Sequence, residues 1–294
     1  MNVAVIDIGA NTVRLLVASR NARGLHTVHE ERGQVGLGED IEELGAISDR
    51  KVAKAAGFAA RYAALARELG ASSIEIAITS PGRQAANAGA LVAAVRSEAS
   101  VPVRVLSSEE EGRLAYQGAV ARLGSHPESL VVCDVGGGST QLVFGTAAEG
   151  PVWLRSVDLG SLRLKSRLLA GDPPDRRAVA AAQIEVAARF AGVTPPLPRM
   201  ALAVGGTARA LRKLSGSEEL DAHALAGALK RTRKRPSRRL AGEFGLHPRR
   251  ARTLAAGTLI LMEVQRRLGV PLRAAAGGLR EGYVLTRLER LEAA

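Results

Sequence analysis

One thirteen-residue pattern occurs twice in this chain. Val5 to Val17 (VIDIGANTVRLLV) and Val132 to Phe144 (VCDVGGGSTQLVF) share the order apolar, Asp, apolar, Gly, turn, hydroxyl, apolar run, and lie 127 residues apart. Solenoid repeats recur every 20 to 50 residues or so, so self-similarity at this distance is on the scale of a whole domain. It predicts two domains of like topology. Each copy sets short β-branched runs around a turn rich in Gly or Asn, which is the pattern of a β-hairpin.

The 294 residues suffice for two such domains. We expect them at 1–122 and 123–294, with the last helix able to pack back on the first. Helical and strand-like spacing alternate along the chain. Asp49 to Leu69 reads as an amphipathic helix, Ser73 to Thr79 as a strand, Gln84 to Ser97 as a helix, Val101 to Leu106 as a strand and Glu109 to Leu123 as a helix. Beyond the second hairpin come a strand at Val152 to Leu159, helices between Asp175 and Gly192, a strand at Ala201 to Val204, further helices to Leu268, and a last helix starting near Arg280. The class is α/β. No apolar stretch reaches the length of about 18 residues that a membrane-spanning helix needs, and Asp7 interrupts the amino-terminal apolar run, so neither an anchor nor a signal peptide is expected. A single cysteine, Cys133, allows no intramolecular disulfide and suits a reducing, cytoplasmic compartment.

Net charge is +12, and +9 of it lies between Lys230 and Arg252, where ten cations accompany one anion, Glu243. The run contains one aromatic residue, Phe244, in a chain with eight in all, so the stacking platforms of single-stranded nucleic-acid binders are missing. Nucleic acid is therefore not the expected partner. A polyanion bound along Arg231, Lys234, Arg235 and Arg238 is one reading of the run; a solvated helix face is the other.

Asp7 and Asp134 each stand two residues before the first glycine of a turn. Glycines bring backbone N–H groups close to an anion, forming a nest, and the hydroxyls of Thr12, Ser139 and Thr140 add donors. A carboxylate at a strand end can hold Mg²⁺ directly or through water. Three consecutive glycines, Gly136 to Gly138, are costly to order, and a purely structural hairpin would rarely need them. Two matched turns of this kind can hold phosphate. The carboxylates of Glu109, Glu110 and Glu111 could serve as general base for attack of water on phosphorus or, equally, as acids at a helix start. The five histidines, His26, His29, His126, His223 and His247, have no ligand spacing and receive no role.

DIGANTVRLLV and DVGGGSTQLVF resemble the two phosphate motifs of the superfamily that joins actin, sugar kinases and chaperone ATPases. Within it the chain is similar to the exopolyphosphatase and guanosine pentaphosphate phosphohydrolase family. VGLGEDIEELGAIS, AITSPGRQAAN, VLSSEEEGRLAYQG, LGSLRL, VGGTARAL and GGLREG follow in family order, so the resemblance spans about 280 residues. It implies two actin-like (ribonuclease H-like) domains with a cleft between them, in the short, two-domain form. It also implies Mg²⁺-dependent hydrolysis of terminal phosphate from inorganic polyphosphate or from pppGpp.

By the same resemblance Glu111 is the catalytic glutamate, and Asp7 and Asp134 hold the metal. Gly9, Asn11, Thr12, Arg14, Arg83, Gly136, Gly137, Gly138, Ser139, Thr140 and Arg280 bind phosphate. Gly205, Gly206 and Thr207 match the superfamily's third glycine turn, which holds adenosine in the actin-like ATPases; in this family a nucleotide need not be bound there, and Gly206 and Thr207 are expected to bind phosphate. Three positions depart from the family: Gln141 stands where an acid that helps hold metal or the attacking water is usual, Gly36 where Arg is common, and Arg252 where Asp is usual. An exopolyphosphatase is the leading expectation. A pppGpp 5′-phosphohydrolase shares the motifs, and a weakly active or non-catalytic polyphosphate or nucleotide sensor is the alternative that Gln141 motivates. A homodimer is kept open.

Overall fold

A computed structural model describes every residue except Arg23, His126 and Ala294; the expectation of no role for His126 thus concerns a residue outside the described ones. The chain forms two units, Met1–Arg122 with Gly277–Ala294, and Leu123–Ala276.

The first unit opens with β1 (Asn2–Ile8), β2 (Thr12–Asn21) and β3 (Gly24–Gln34), an antiparallel meander in which Asp7 is the register partner of Arg14. Helices α1 (Leu37–Leu44) and α2 (Asp49–Glu68) lead to β4 (Ala71–Ile78), then α3 (Ser80–Gln84), α4 (Ala88–Ala99), β5 (Val103–Val105) and α5 (Ser108–Val120). β4 and β5 add in parallel, for a sheet order β3-β2-β1-β4-β5. The expected helix over Gln84 to Ser97 is split. Asn87 exchanges two hydrogen bonds with the Ile47 backbone, at 2.9 and 2.7 Å, a tertiary contact across 40 positions that holds the residue preceding α4. Gly36, where the family often has Arg, caps α1 with φ 73°, a conformation that favours glycine.

The second unit repeats the plan. β6 (Ser129–Val135), β7 (Thr140–Thr146) and β8 (Gly150–Val157) form the meander. Then follow α6 (Ser161–Leu168), α7 (Arg176–Phe190), β9 (Met200–Val204), α8 (Gly205–Ser215) and the two-residue β10 (Glu219–Leu220). α9 (Ala222–Lys234), α10 (Ser237–Phe244), α11 (Pro248–Arg252), α12 (Leu254–Leu268) and β11 (Leu272–Ala274) complete it. The order β8-β7-β6-β9-β11 matches that of the first sheet strand for strand, with β10 added at the edge. Asp134 pairs with Gln141 as Asp7 pairs with Arg14. The chain then ends in α13 (Leu279–Glu292), which belongs to the first unit.

Both faces of β1 are covered, which is why its sequence is nearly continuously apolar. Ala4, Ile6 and Ile8 pack with Ala55, Ala59 and Tyr62 of α2, while Val3 and Val5 pack with Tyr283, Val284 and Leu288 of α13. α5 and α13 meet through glycines. A Cβ on Gly118 would lie 1.9 Å from the Gly278 carbonyl oxygen, and one on Gly282 would lie 1.9 Å from that of Leu114, so only hydrogen fits at either position. In the second unit a single cluster holds Val131, Cys133 and Leu142 of the sheet against Val186 and Phe190 of α7 and Ile260 and Val264 of α12. Among the described residues no helix is long and apolar enough to cross a membrane.

Candidate active site

In a sheet with parallel strands, ligand-binding residues gather at the carboxyl ends of those strands. In the first unit β1 runs out into Gly9, β4 into Thr79 and Arg83, and β5 into Leu106 and the start of α5. The Gly9 turn is braced from outside. Gly9 N–H donates to the Thr12 carbonyl at 2.9 Å, Val35 and Gly36 N–H groups donate to the Asn11 carbonyl at 3.1 Å each, and Gly38 N–H donates to that of Ala10 at 2.8 Å. Thr79 N–H closes the neighbouring strand end on the Ile8 carbonyl at 3.0 Å. Arg14 Nε donates to Thr12 Oγ1 at 3.2 Å. Burial pushes the Asp7 carboxyl above its ordinary pKa; Arg14 and Arg280 pull it part of the way back, and Glu281 adds to the rise. Arg280 is buried and donates to the Leu15 carbonyl and to Glu30, so its guanidinium is engaged along β2 and β3.

The three consecutive glutamates have three different settings. Glu110 completes a capping box with Ser107, which holds its carboxyl below the ordinary value through the Ser107 backbone N–H, and it also pairs with Arg104. Glu109 is exposed and paired with Arg113 one turn on. Glu111 alone is buried, and Arg83 Nη2 donates to its Oε2 at 2.8 Å while Arg83 Nη1 donates to the Leu106 carbonyl at 2.6 Å. Arg83 therefore fixes this carboxylate against the end of β5.

In the second unit the Gly-Gly-Gly turn leans on α6. The Gly136 carbonyl accepts from Ser161 N–H at 2.9 Å, and the Gly137 carbonyl accepts from Leu162 and Arg163 N–H groups at 3.0 and 3.1 Å. In a planar trans peptide the following N–H points the opposite way, so those of Gly137 and Gly138 are directed away from α6. Gly160 keeps the turn and α6 in contact, since a Cβ there would lie 2.3 Å from Gly137. Thr140 Oγ1 is buried and donates to the Leu159 carbonyl at 2.6 Å. Gln141 is buried; its Nε2 donates to Ser139 Oγ at 2.9 Å and to Ser156 Oγ at 3.3 Å, and its Oε1 has no hydrogen-bond partner among the described residues. Asp134, its cross-strand partner, projects from the same face of the sheet.

The third glycine turn opens α8. Gly205 has φ 84°, and a Cβ there would lie 2.8 Å from Asp134 Oδ1. Thr207 Oγ1 donates to the Val135 carbonyl at 3.3 Å and accepts from Arg250 Nη1 at 3.1 Å. The Arg250 guanidinium lies against Gly206, 2.7 Å from where a Cβ would be. Sequence reading counted Arg250 only as one of a run of cations, since its spacing from Gly206 carries no signal.

The donor set can be tested against a metal. Among the described residues no three or more His, Cys, Asp or Glu side chains converge on one point. Such a donor set fits Mg²⁺, which is commonly bound by one or two carboxylates together with water and substrate phosphate. The unpartnered Oε1 of Gln141, on the Asp134 face, is a further oxygen ligand of the right kind.

Residues 16–291 match the Ppx/GppA phosphatase family. Exopolyphosphatase 2 of Mycobacterium tuberculosis is 31% identical over 293 residues, covering 90% of each chain. The crystal structure of the Aquifex aeolicus member of the family is 25% identical, superposes with a TM-score of 0.85 and covers 100% of this chain and 99% of its own. An exopolyphosphatase from Cytophaga hutchinsonii, 20% identical, superposes with a TM-score of 0.86 over 99% and 98% of the two chains and bears on the fold alone. The chain belongs to the Ppx/GppA phosphatase family, and its two units are the actin-like domains of that fold.

Proposed function

We propose that this protein is an exopolyphosphatase, a phosphoanhydride hydrolase that releases orthophosphate from the end of inorganic polyphosphate with Mg²⁺. The observation that carries the reading is the 31% identity to an exopolyphosphatase over nine-tenths of both chains. In this reading Glu111, oriented by Arg83, accepts a proton from the attacking water. The water oxygen bonds to the terminal phosphorus, the bridging P–O bond breaks, and the shortened chain leaves with the bridging oxygen. Phosphate is bound by Gly9, Asn11, Thr12 and Arg14 in the first unit and by Gly136, Gly137, Gly138, Ser139, Thr140, Gly206 and Thr207 in the second. N–H groups directed away from α6 suit Gly137 and Gly138 to this. Arg280 would act from behind the first hairpin, where its charge bears on Asp7. Asp7 and Asp134 would hold Mg²⁺, with Gln141 as a neutral ligand; when bound, the ion neutralises phosphate charge. A cytoplasmic location belongs to the same proposal.

Gln141 favours one second reading, a weakly active or non-catalytic sensor of polyphosphate or nucleotide. The test is release of orthophosphate from long-chain polyphosphate, pppGpp and ATP in parallel, with and without Mg²⁺. Mg²⁺-dependent release from polyphosphate is expected. Preference for pppGpp would make the protein a pentaphosphate phosphohydrolase, and silence on all three with retained polyphosphate binding would make it a sensor.

A further inference from the structure

The cations of Lys230 to Arg252 fall into two sets. Arg231 donates to the Leu214 carbonyl and lies 5.8 Å from the Phe244 ring centre, and Arg235 holds Glu243, so these two join α9 to α8 and α10. Arg250 rests on the third glycine turn, and Arg233 is half-buried, its Nε without a hydrogen-bond partner among the described residues. Lys230, Lys234, Arg238, Arg239, Arg249 and Arg252 are all exposed and form no ion pair among the described residues. Arg235 has taken the only carboxylate of the run, leaving no acid within it to balance them.

Helix electrostatics accounts for part of this set only. Lys234 ends α9, where a cation meets the negative end of the helix. Arg238 and Arg239 lie in the first turn of α10, where the dipole disfavours cations and where no acid accompanies them. These positions cost stability in the free protein, and an external anion would offset that cost.

The helices that carry the set pack together. α11 touches α8 through Arg250 and Thr207, and α10 reaches α8 through the Gly245 carbonyl, which accepts from Lys213 Nζ at 3.4 Å. α9 joins α10 through Arg235 and Glu243. Arg249, Arg238, Arg239 and Lys234 are thus exposed residues of one packed group of helices, which through Arg250 also holds the third glycine turn.

The geometry points to an exosite on α9, α10 and α11 that binds a long inorganic polyphosphate along its length, beyond the phosphates held by the glycine turns. This inference rests on the polyphosphate reading above. A long chain carries about one negative charge per phosphate unit, so contacts at its end leave most of that charge unneutralised, and successive cations release its counterions as they do those of a nucleic acid. Nucleic acid fits less well. Phe244, the one aromatic residue of the run, is covered by Arg231 and offers no face for a base.

The test replaces exposed cations only: Lys234→Gln, Arg238→Gln, Arg239→Gln and Arg249→Gln in one variant. A control variant removes the same charge elsewhere, with Arg50→Gln, Lys54→Gln, Arg176→Gln and Arg177→Gln, all exposed. KM is measured for polyphosphate of several hundred units and for tripolyphosphate across a range of salt. The exosite variant should raise the long-chain KM about tenfold or more at low salt and lower the slope of log KM against log salt by about 3, at roughly 0.7 to 0.9 per cation. Tripolyphosphate KM should stay within about twofold, and the control variant should change neither. An unchanged ratio of long to short KM overturns the exosite, as does an equal effect in the control, which would trace the binding to net charge. Equilibrium binding of long-chain polyphosphate by both variants separates this result from the catalytic reading, because the exosite predicts the same loss in a protein that turns over nothing. Loss of single-stranded RNA binding in the exosite variant with polyphosphate binding retained would also overturn it.

Discussion

Asp134 faces Gln141 across the β6–β7 hairpin, in the places that Asp7 and Arg14 fill in the β1–β2 hairpin. One copy of the repeat sets a cation opposite its aspartate, and the other sets a neutral amide there. Gln141→Glu would put two carboxylates in register, a pairing that costs up to about 1 kcal/mol and that a divalent cation reverses. The variant should melt about 2 °C lower without Mg²⁺ and regain that loss with it, and its turnover should rise or depend more steeply on Mg²⁺. Melting and turnover that both fall and ignore Mg²⁺ would show that Ser139 and Ser156 are arranged for the amide alone.

The Arg83–Glu111 pair separates base from support. Glu111→Gln keeps the size and the hydrogen bond but cannot accept the water's proton, so kcat should fall by roughly a hundredfold or more with binding retained. Arg83→Gln releases Glu111 from the Leu106 carbonyl and should lower kcat by about tenfold. Wild-type turnover in Glu111→Gln would pass the role of base to another group.

Gly160→Ala tests the glycine turn without touching its residues. The added methyl falls 2.3 Å from Gly137 backbone atoms, so the turn must move off α6. We expect KM for every phosphate substrate to rise by about tenfold or more, with stability lowered by about 2 kcal/mol. A wild-type KM would mean the turn does not bind phosphate in its observed form.

Stability should depend on Asp40 in a pH-specific way. Burial alone would raise its pKa, but hydrogen bonds from Lys51 at 2.6 Å and from Ser48 outweigh that and hold it below the ordinary value. A carboxyl held low when folded stabilises above its unfolded pKa of about 3.9, and that stabilisation is lost as pH falls through the lower folded value. Asp40→Asn should cost on the order of 2 kcal/mol at neutral pH, with Lys51 left to Glu39 and the Gly36 carbonyl, and the gap to wild type should close below about pH 4. Urea denaturation at several pH values measures it; a gap independent of pH would place the effect in packing.

Much of this architecture is legible in residue order. The repeat at Asp7 and Asp134 foretold the matched sheets because a hairpin turn and its flanking strands are local. β3 was missed because it is an edge strand, mostly exposed, whose sequence GLHTVHEERGQ has no apolar run. The short β10 and β11 give too few residues for any period. Among site residues, Glu109 and Glu110 have local partners, Arg113 one turn on and the cap Ser107, whereas the setting of Glu111 depends on Arg83, 28 positions away, and no spacing signals it. Arg250 over Gly206 has no precursor in spacing, since 44 positions separate them and two helices and a strand intervene.

Unit 1 is made of two stretches of chain, and the apolar layer of Val3, Val5, Leu16 and Leu106 is completed by Leu279, Tyr283, Val284 and Leu288. On the ribosome, therefore, residues 1–122 emerge first yet must wait with one sheet face uncovered until residues 279–292 are translated. Leu123–Ala276 has its whole sequence earlier and can complete its core first, inverting the usual amino-terminal-first order of synthesis. Chaperone demand during translation should accordingly fall on the leading half of the nascent chain.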